Sequence, residues 1–275
     1  MSTSPLANVE LLLFDTFGTL TDYETSISTA LAAKAKQNAK TRAVTHEGQE
    51  REKEIAGINW LEFERRWRSG YMTRTREIAQ GGEGPSNVDE LHLEILNEMV
   101  DAAPYDVVGQ LWDTQAERKK VCQLWHRIKA WPDVKPGMGM LKKLDPPVLL
   151  ATLSNGSLRL LVDIARTNSL PFDTHFSGDL LGAYKPNPKM YLGAPKLLGY
   201  EDDAIKDGKV AMVASHIYDL RAAAQHGLKT IYIPRSTEDV GVEGGGSEVR
   251  PKHEGGEVDV VLKHGLEALA GYLRP

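Results

Sequence analysis

Short, continuous apolar runs alternate with amphipathic segments along much of this chain. The run VELLLFD at 9–15 ends in the carboxylate of Asp15 and precedes small, turn-forming residues, which predicts a buried parallel strand with Asp15 at its carboxyl end. Beyond residue 135, strands are predicted at 148–156, 175–177, 210–214, 229–233 and 258–262, with helices near 158–168, 188–198 and 219–227. Such alternation predicts an α/β fold with a doubly wound, mostly parallel sheet.

The segment between Asp22 and Ala130 has a different pattern, because its apolar residues recur at helical spacing and no convincing strand interrupts them. These residues are Trp60, Phe63, Trp67 and Tyr71, then Leu91, Ile95 and Met99, then Val121, Leu124, Trp125 and Ile128. Breaks at 81–85 and 103–104 separate helices rather than domains. We therefore expect an α/β core domain of residues 1–22 and 131–275 and an inserted helical cap domain of residues 23–130, joined by hinges near Asp22 and Trp131.

Composition and charge narrow the choice of partners. The 275 residues are 41% hydrophobic and 26% charged, which is typical of a soluble globular protein. With a formal net charge of −5, neither nucleic acid nor a membrane surface is an expected partner. The apolar runs fall short of the ~20 residues of a membrane span and the N-terminal segment lacks a signal-peptide pattern, so a cytoplasmic location is expected.

Helical spacing makes Cys122 a buried thiol rather than a reactive one.

The stretch Ser236–Glu257 is poor in apolar residues and contains several glycines. This composition predicts a mobile surface loop, with a functional lid as the alternative.

Polar side chains follow the predicted strands at four places: Asp15, the Ser154–Asn155–Gly156 turn, Lys185, and the turn from Ser215 to Asp219. Each one alone is typical of a helix cap or a loop. Ligands of open α/β sheets bind outside the carboxyl ends of the strands. Four such sites in one chain therefore favour an active site at this edge.

These residues resemble the haloacid dehalogenase superfamily. The similarity lies in the loop FDTFGTL at 14–20, the turn LSNGS at 153–157, the segment YKP at 184–186 with Tyr191 six residues after the lysine, and VASHIYDL at 213–220. The resemblance spans the core domain and implies a Rossmann-like sheet with a cap inserted after the first strand.

The residue two positions after Asp15 separates the branches of this superfamily. Phosphatases carry a second Asp there, because an alkoxide leaving group needs a general acid, and they gather several carboxylates around Mg²⁺. This chain has Phe17 at that position and Ser215–His216 where phosphatases commonly place an acidic pair. A halide leaving group needs no proton, so the pattern looks like the metal-independent L-2-haloacid dehalogenase branch, also called type II.

The resemblance implies that Asp15 displaces halide from the substrate Cα to form an ester, which water then hydrolyses at the Asp15 carbonyl. Lys185 should keep Asp15 ionised and help to bind the substrate carboxylate. Further expected roles follow from the same resemblance. Ser154, with the backbone N–H groups of Thr16 and Phe17, would bind the substrate carboxylate, and Thr19 and Asn155 would orient Asp15. Tyr191 would form a hydrogen bond to Lys185 or to the substrate region, and Tyr218 would line the pocket. Asp219 would balance the charge of Lys185 and position the water.

The halide should need a cationic or N–H donor, for which the family uses an arginine on an early cap helix. Arg68 matches that position, although it could equally be a solvated charge. The chief departure is at Ala214 and His216, where the family tends to carry Ser and Asn. His216 could contact the halide and make fluoride a more suitable leaving group, or it could simply satisfy the turn.

We therefore expect a hydrolase acting on the carbon–halide bond of a small 2-haloalkanoic acid, with water as second substrate and no metal or other cofactor. A homodimer is compatible with the sequence. Two alternatives stay open: a haloacid dehalogenase-like phosphatase that uses Mg²⁺, and a non-catalytic protein that binds small carboxylates.

Overall fold

The computed structural model describes residues 4–42 and 46–273. Its strands are β1 Leu11–Phe14, β2 Thr21–Asp22, β3 Lys129–Ala130, β4 Leu149–Ser154, β5 Thr174–Ser177, β6 Val210–Ala214, β7 Lys229–Tyr232 and β8 Val260–Val261. Its helices are α1 Tyr23–Arg42, α2 His46–Ala56, α3 Trp60–Ala79, α4 Val88–Val100, α5 Asp106–Leu111, α6 Gln115–Cys122, α7 Val134–Leu141, α8 Leu158–Asn168, α9 Gly178–Leu181, α10 Pro188–Leu197, α11 Asp202–Lys206 and α12 Ile217–Gln225. Short 3₁₀ helices lie at Gln123–Arg127, Gly246–Glu248, Lys252–Glu254 and Leu266–Tyr272.

The chain forms two compact units, one of Met1–Asp22 with Lys129–Pro275 and one of Tyr23–Ile128. The sequence places the second boundary after residue 130, whereas the units divide after Ile128. The difference arises because β3 pairs antiparallel with β2 and so joins the first unit. These two strands contain two residues each, which is too short to leave a recognisable pattern in the sequence.

The α/β unit contains a six-stranded sheet in the order β5-β4-β1-β6-β7-β8. All neighbouring strands in it are parallel, and β1 lies between β4 and β6, with Phe14 opposite both Thr152 and Val213. This confirms the predicted α/β class. Because parallel strands end at the same edge, the residues that follow β1, β4 and β6 come together there.

Both faces of this sheet are buried, as the continuous apolar runs predict. Successive side chains of β1 alternate between them: Leu12 and Phe14 pack into a cluster with α7, whereas Leu11 and Leu13 pack into a cluster with α10 and α12. Helices therefore cover the sheet on both sides. This layering holds the carboxyl end of β1 rigidly in the interior of the unit.

The helical unit is organised around the aromatic stripe of α3. Phe63, Trp67 and Tyr71 are buried, as their spacing predicts. The indole N–H of Trp67 donates to the carbonyl of His92 at 3.0 Å, which ties α3 to α4. Cys122 is buried, and burial raises the pKa of its thiol to about 12, so it is an inert thiol at neutral pH.

Over the described ranges, none of the helices combines the length and the apolar character needed to cross a membrane.

The amino end of β4 gives a matched test of core packing, because burial begins at its second residue. Leu150 is fully buried, and its neighbour Leu149 is exposed. Leu150→Ala should lower the free energy of unfolding by about 2–5 kcal/mol because it leaves a cavity in the core. Leu149→Ala should lower it by less than about 1 kcal/mol. Urea unfolding followed by circular dichroism measures both, and equal losses would contradict the burial of Leu150.

Candidate active site

Asp15 follows the last residue of β1 and is buried at the centre of a polar cluster. Lys185 Nζ lies 3.2 Å from Oδ1 of Asp15. The Thr19 hydroxyl donates to Oδ2 at 2.8 Å, and His216 Nδ1 lies 3.2 Å from the same oxygen. Burial alone would raise the pKa of the Asp15 carboxyl, but Lys185 and His216 together hold it well below its usual range. The carboxylate is therefore ionised and available as a nucleophile at neutral pH.

Lys185 also contacts a second buried carboxylate. Its Nζ lies 2.6 Å from Oδ2 of Asp219, whose Oδ1 accepts a hydrogen bond of 2.6 Å from the Tyr191 hydroxyl. Burial would lower the pKa of Lys185, but Asp15 and Asp219 raise it, so the ammonium stays charged. The sequence led us to expect that Tyr191 bonds either Lys185 or the substrate region. In the structure its hydroxyl bonds Asp219 and not Lys185.

The backbone around these groups is held by short polar contacts. The side-chain oxygen of Asn155 accepts a hydrogen bond of 2.7 Å from the backbone N–H of Lys185. Asn155 therefore orients the lysine rather than Asp15, which differs from the expectation. Ser154 is buried, and its hydroxyl accepts from the N–H of Gly156 at 3.3 Å. The backbone N–H of Ser215 donates to the Thr19 hydroxyl at 2.9 Å and fixes it for its bond to Asp15.

Glu238 also belongs to this cluster, although no pattern in the sequence predicts it. Its Oε2 lies 2.7 Å from Nε2 of His216. Burial would lower the pKa of His216, but its hydrogen bonds to Asp15 and Glu238 raise the pKa to about 10. His216 is therefore an imidazolium at neutral pH and bonds the nucleophile itself.

The expectation of a surface loop is wrong for the start of the segment Ser236–Glu257. Glu238 and Asp239 are both buried, and Asp239 accepts hydrogen bonds from the backbone N–H of Ile217 at 2.7 Å and from the Tyr232 hydroxyl at 3.2 Å. These contacts fasten the loop to α12 and β7. The position of the loop is the sequence feature that could have pointed to Glu238, because the loop begins at the carboxyl end of β7.

Three further predicted residues lie in or beside the nucleophile turn. Phe17 is buried. The hydroxyl of Thr16 is also buried and has no hydrogen-bond partner among the described residues. Tyr218 is partly exposed, with its ring centroid 5.3 Å from that of His216. An unpartnered buried hydroxyl next to Asp15 is a group that a bound substrate could satisfy.

Arg68 lies in the helical unit and is buried there rather than solvated. Its guanidinium carbon is 4.7 Å from the ring centroid of Tyr23 and 4.6 Å from that of Tyr71. These cation–π contacts fix the side chain within its own unit. Its part in halide binding stays a prediction.

The residues at this edge do not suit the Mg²⁺ that phosphatases of the superfamily use. The ammonium of Lys185 already lies between Asp15 and Asp219, the two carboxylates that such an ion would need. Within the described part of the chain, no group of three or more His, Cys, Asp or Glu residues is arranged to hold a metal ion. The donor set thus favours an organic anion over a divalent cation.

The chain is similar to known proteins in both sequence and fold. Residues 9–227 match the haloacid dehalogenase-like hydrolase family. Over 127 residues the chain is 28% identical to (S)-2-haloacid dehalogenase 4A of Burkholderia cepacia, an alignment that spans 46% of this chain and only about half (52%) of that relative.

Two solved structures match over nearly the whole chain. The defluorinating L-2-haloacid dehalogenase Rha0230 is 29% identical with a TM-score of 0.77, covering 100% of this chain and 99% of that one. The L-2-haloacid dehalogenase PA0810 is 31% identical with a TM-score of 0.70, covering 96% and 98% respectively. The family match, the structural similarity and the cluster around Asp15 agree, and the chain belongs to the haloacid dehalogenase-like hydrolase family.

Proposed function

We propose that this protein hydrolyses the carbon–halogen bond of a small 2-haloalkanoic acid, giving the 2-hydroxy acid and halide. One observation carries the proposal: a buried, ionised Asp15 is bonded by Lys185 and His216, and Phe17 stands where a phosphatase has its general acid. The names of the relatives, which are 2-haloacid dehalogenases, support the same substrate class.

In the first step a carboxylate oxygen of Asp15 attacks the substrate Cα and the halogen leaves with the bonding electron pair. Lys185 and the free hydroxyl of Thr16 are the groups proposed to hold the substrate carboxylate, together with Ser154. Arg68 is proposed to receive the departing halide. Phe17 supplies an apolar wall, which suffices because halide leaves without a proton.

In the second step water attacks Cγ of the aspartyl ester, and the Cγ–O bond to the substrate breaks. Asp219, held by Lys185 and Tyr191, is proposed to position this water. One proton of the water ends on the product hydroxyl and the other is released to solvent. Asp15 returns to the ionised state with one oxygen from water.

The Mg²⁺-dependent phosphatase alternative finds less support, because Lys185 lies between the two carboxylates and Phe17 cannot protonate an alkoxide. A cytoplasmic location, a homodimer and the role of the helical unit as a cap domain stay predictions from the sequence.

Asp15→Asn should abolish halide release from chloroacetate and 2-chloropropionate, since an amide is a poor nucleophile at carbon. Asp207→Asn, which changes an exposed carboxylate of the same unit, should leave the rate unchanged. A single turnover of the unmodified protein in H₂¹⁸O should label Asp15, detected by mass spectrometry of its peptide. Label that enters the product directly would exclude the ester.

Removal of divalent cations by EDTA distinguishes the proposed dehalogenase activity from the alternative phosphatase activity. Halide release should be the same with and without EDTA, because Lys185 supplies the positive charge beside Asp15. Hydrolysis of p-nitrophenyl phosphate should stay at background even with added Mg²⁺. Loss of halide release on chelation would overturn the assignment of Lys185.

The pH profile should follow the charge on His216. Asp15 is ionised throughout the neutral range, so kcat for steady-state halide release should be flat there. It should fall as the pH approaches about 10, because His216 loses the proton that it donates to Asp15. In His216→Asn this particular decline should be absent. A wild-type rate that rises through this range would contradict the assignment.

A further inference from the structure

The carboxylate of Glu238 is packed against the nucleophile turn. Gly18 has a positive φ of 76°, and a Cβ at this position would fall 2.4 Å from Cδ of Glu238. Only glycine therefore permits both this backbone conformation and the approach of the carboxylate. The Thr237 hydroxyl donates to Oε1 of Glu238 at 2.9 Å, while Oε2 faces His216. Both oxygens are thus held in place.

The ring of His216 lies between two carboxylates. Nδ1 is 3.2 Å from Oδ2 of Asp15, and Nε2 is 2.7 Å from Oε2 of Glu238. Ionised carboxylates only accept hydrogen bonds, whereas a neutral imidazole has one N–H. Both contacts can be hydrogen bonds only when both ring nitrogens carry a proton. With Asp15 and Glu238 both ionised, this geometry therefore calls for an imidazolium.

The other charged and titratable groups around His216 are compatible with a positive charge on its ring. They are Lys185 and Asp219, connected to the ring through Asp15, Asp239 beside Glu238 in the loop, and Tyr218 on α12. Lys185 is the cation of this set, and it is paired with two carboxylates. Glu238 is the carboxylate that bonds the far nitrogen of the ring.

The two oxygens of Asp15 have different partners. Oδ1 faces Lys185, while Oδ2 is bonded by both Thr19 and His216. The less encumbered Oδ1 is the better placed to attack carbon. After attack Oδ1 is the ester oxygen, and Oδ2 becomes the carbonyl oxygen with its two donors in place.

We propose that Glu238 is a positioning residue that holds His216 as a doubly protonated donor to Oδ2 of Asp15, where it stabilises the oxyanion formed during ester hydrolysis. This inference rests on the proposed function. When water bonds to Cγ, the electron pair of the Cγ–Oδ2 double bond moves onto Oδ2. It returns as the bond from Cγ to Oδ1 breaks, and Oδ1 leaves in the product hydroxyl with one proton of the water, the other passing to solvent. His216 keeps both of its protons, and a charged donor stabilises such an oxyanion more than a neutral one.

Glu238→Gln tests this step specifically. With chloroacetate, the variant should release a burst of about one chloride per protein and then turn over at least about tenfold more slowly than wild type, up to the roughly 10²–10³-fold cost of deleting an oxyanion donor. Carboxymethylated Asp15 should accumulate and be detected in the quenched peptide. Glu243→Gln makes the same change at an exposed position of the same loop and should behave as wild type.

Ester hydrolysis at the wild-type rate in Glu238→Gln would overturn the inference. A burst slowed as much as turnover would also overturn it, because the effect would then lie in alkylation. Circular dichroism checks that the variant is folded.

A titration of ¹⁵N-labelled wild-type protein followed by NMR decides the charge of His216 without any variant. The ring should remain an imidazolium until the pH approaches about 10, and deprotonation near the ordinary pKa of 6.5 would refute the inference. If wild type releases no halide at all, the proposed function fails, whereas this titration still decides whether the ring between Asp15 and Glu238 is charged.

Discussion

The arrangement depends on one electrostatic constraint, which is that a carboxylate removed from water must stay ionised. Removing an ion from water costs several kcal/mol unless charged partners replace the solvent. Asp15 obtains these partners from Lys185 and His216. Each cation in turn bonds a second buried carboxylate, Asp219 and Glu238 respectively. The Asp15 carboxylate therefore lies at the middle of a series of alternating anions and cations, which runs from Asp219 to Glu238, and is not an isolated charge.

The sheet makes this chain of contacts feasible because of the order of its strands. β1 lies between β4 and β6, so the turns that carry Asp15, Asn155 and Ser215 end at one edge. Backbone N–H groups then lock the side chains: Ser215 holds Thr19, and Asn155 holds the backbone of Lys185. The rigid, doubly covered sheet thus fixes distances that flexible loops alone would leave variable.

The sequence predicted the strands of the six-stranded sheet and the edge at which the candidate residues meet, because buried parallel strands leave continuous apolar runs. It did not predict the partners of each side chain. Tyr191 bonds Asp219, and Asn155 bonds Lys185, choices that depend on ångström-scale placement. Glu238 was missed for another reason: the loop that carries it has no apolar periodicity, and its burial arises from polar contacts and from the missing side chain of Gly18.

The charges of the network also bear on the two proposed steps. From Asp219 to Glu238 the free protein has three carboxylates and two cations, so one negative charge is unbalanced. Alkylation converts the Asp15 carboxylate into a neutral ester, while the carboxylate of the bound substrate keeps its own negative charge beside Lys185. Hydrolysis must return the negative charge to the buried carboxyl group of Asp15. A cationic donor already aimed at the Asp15 oxygen is most valuable in that second step, where a neutral side chain at position 216 would give weaker stabilisation.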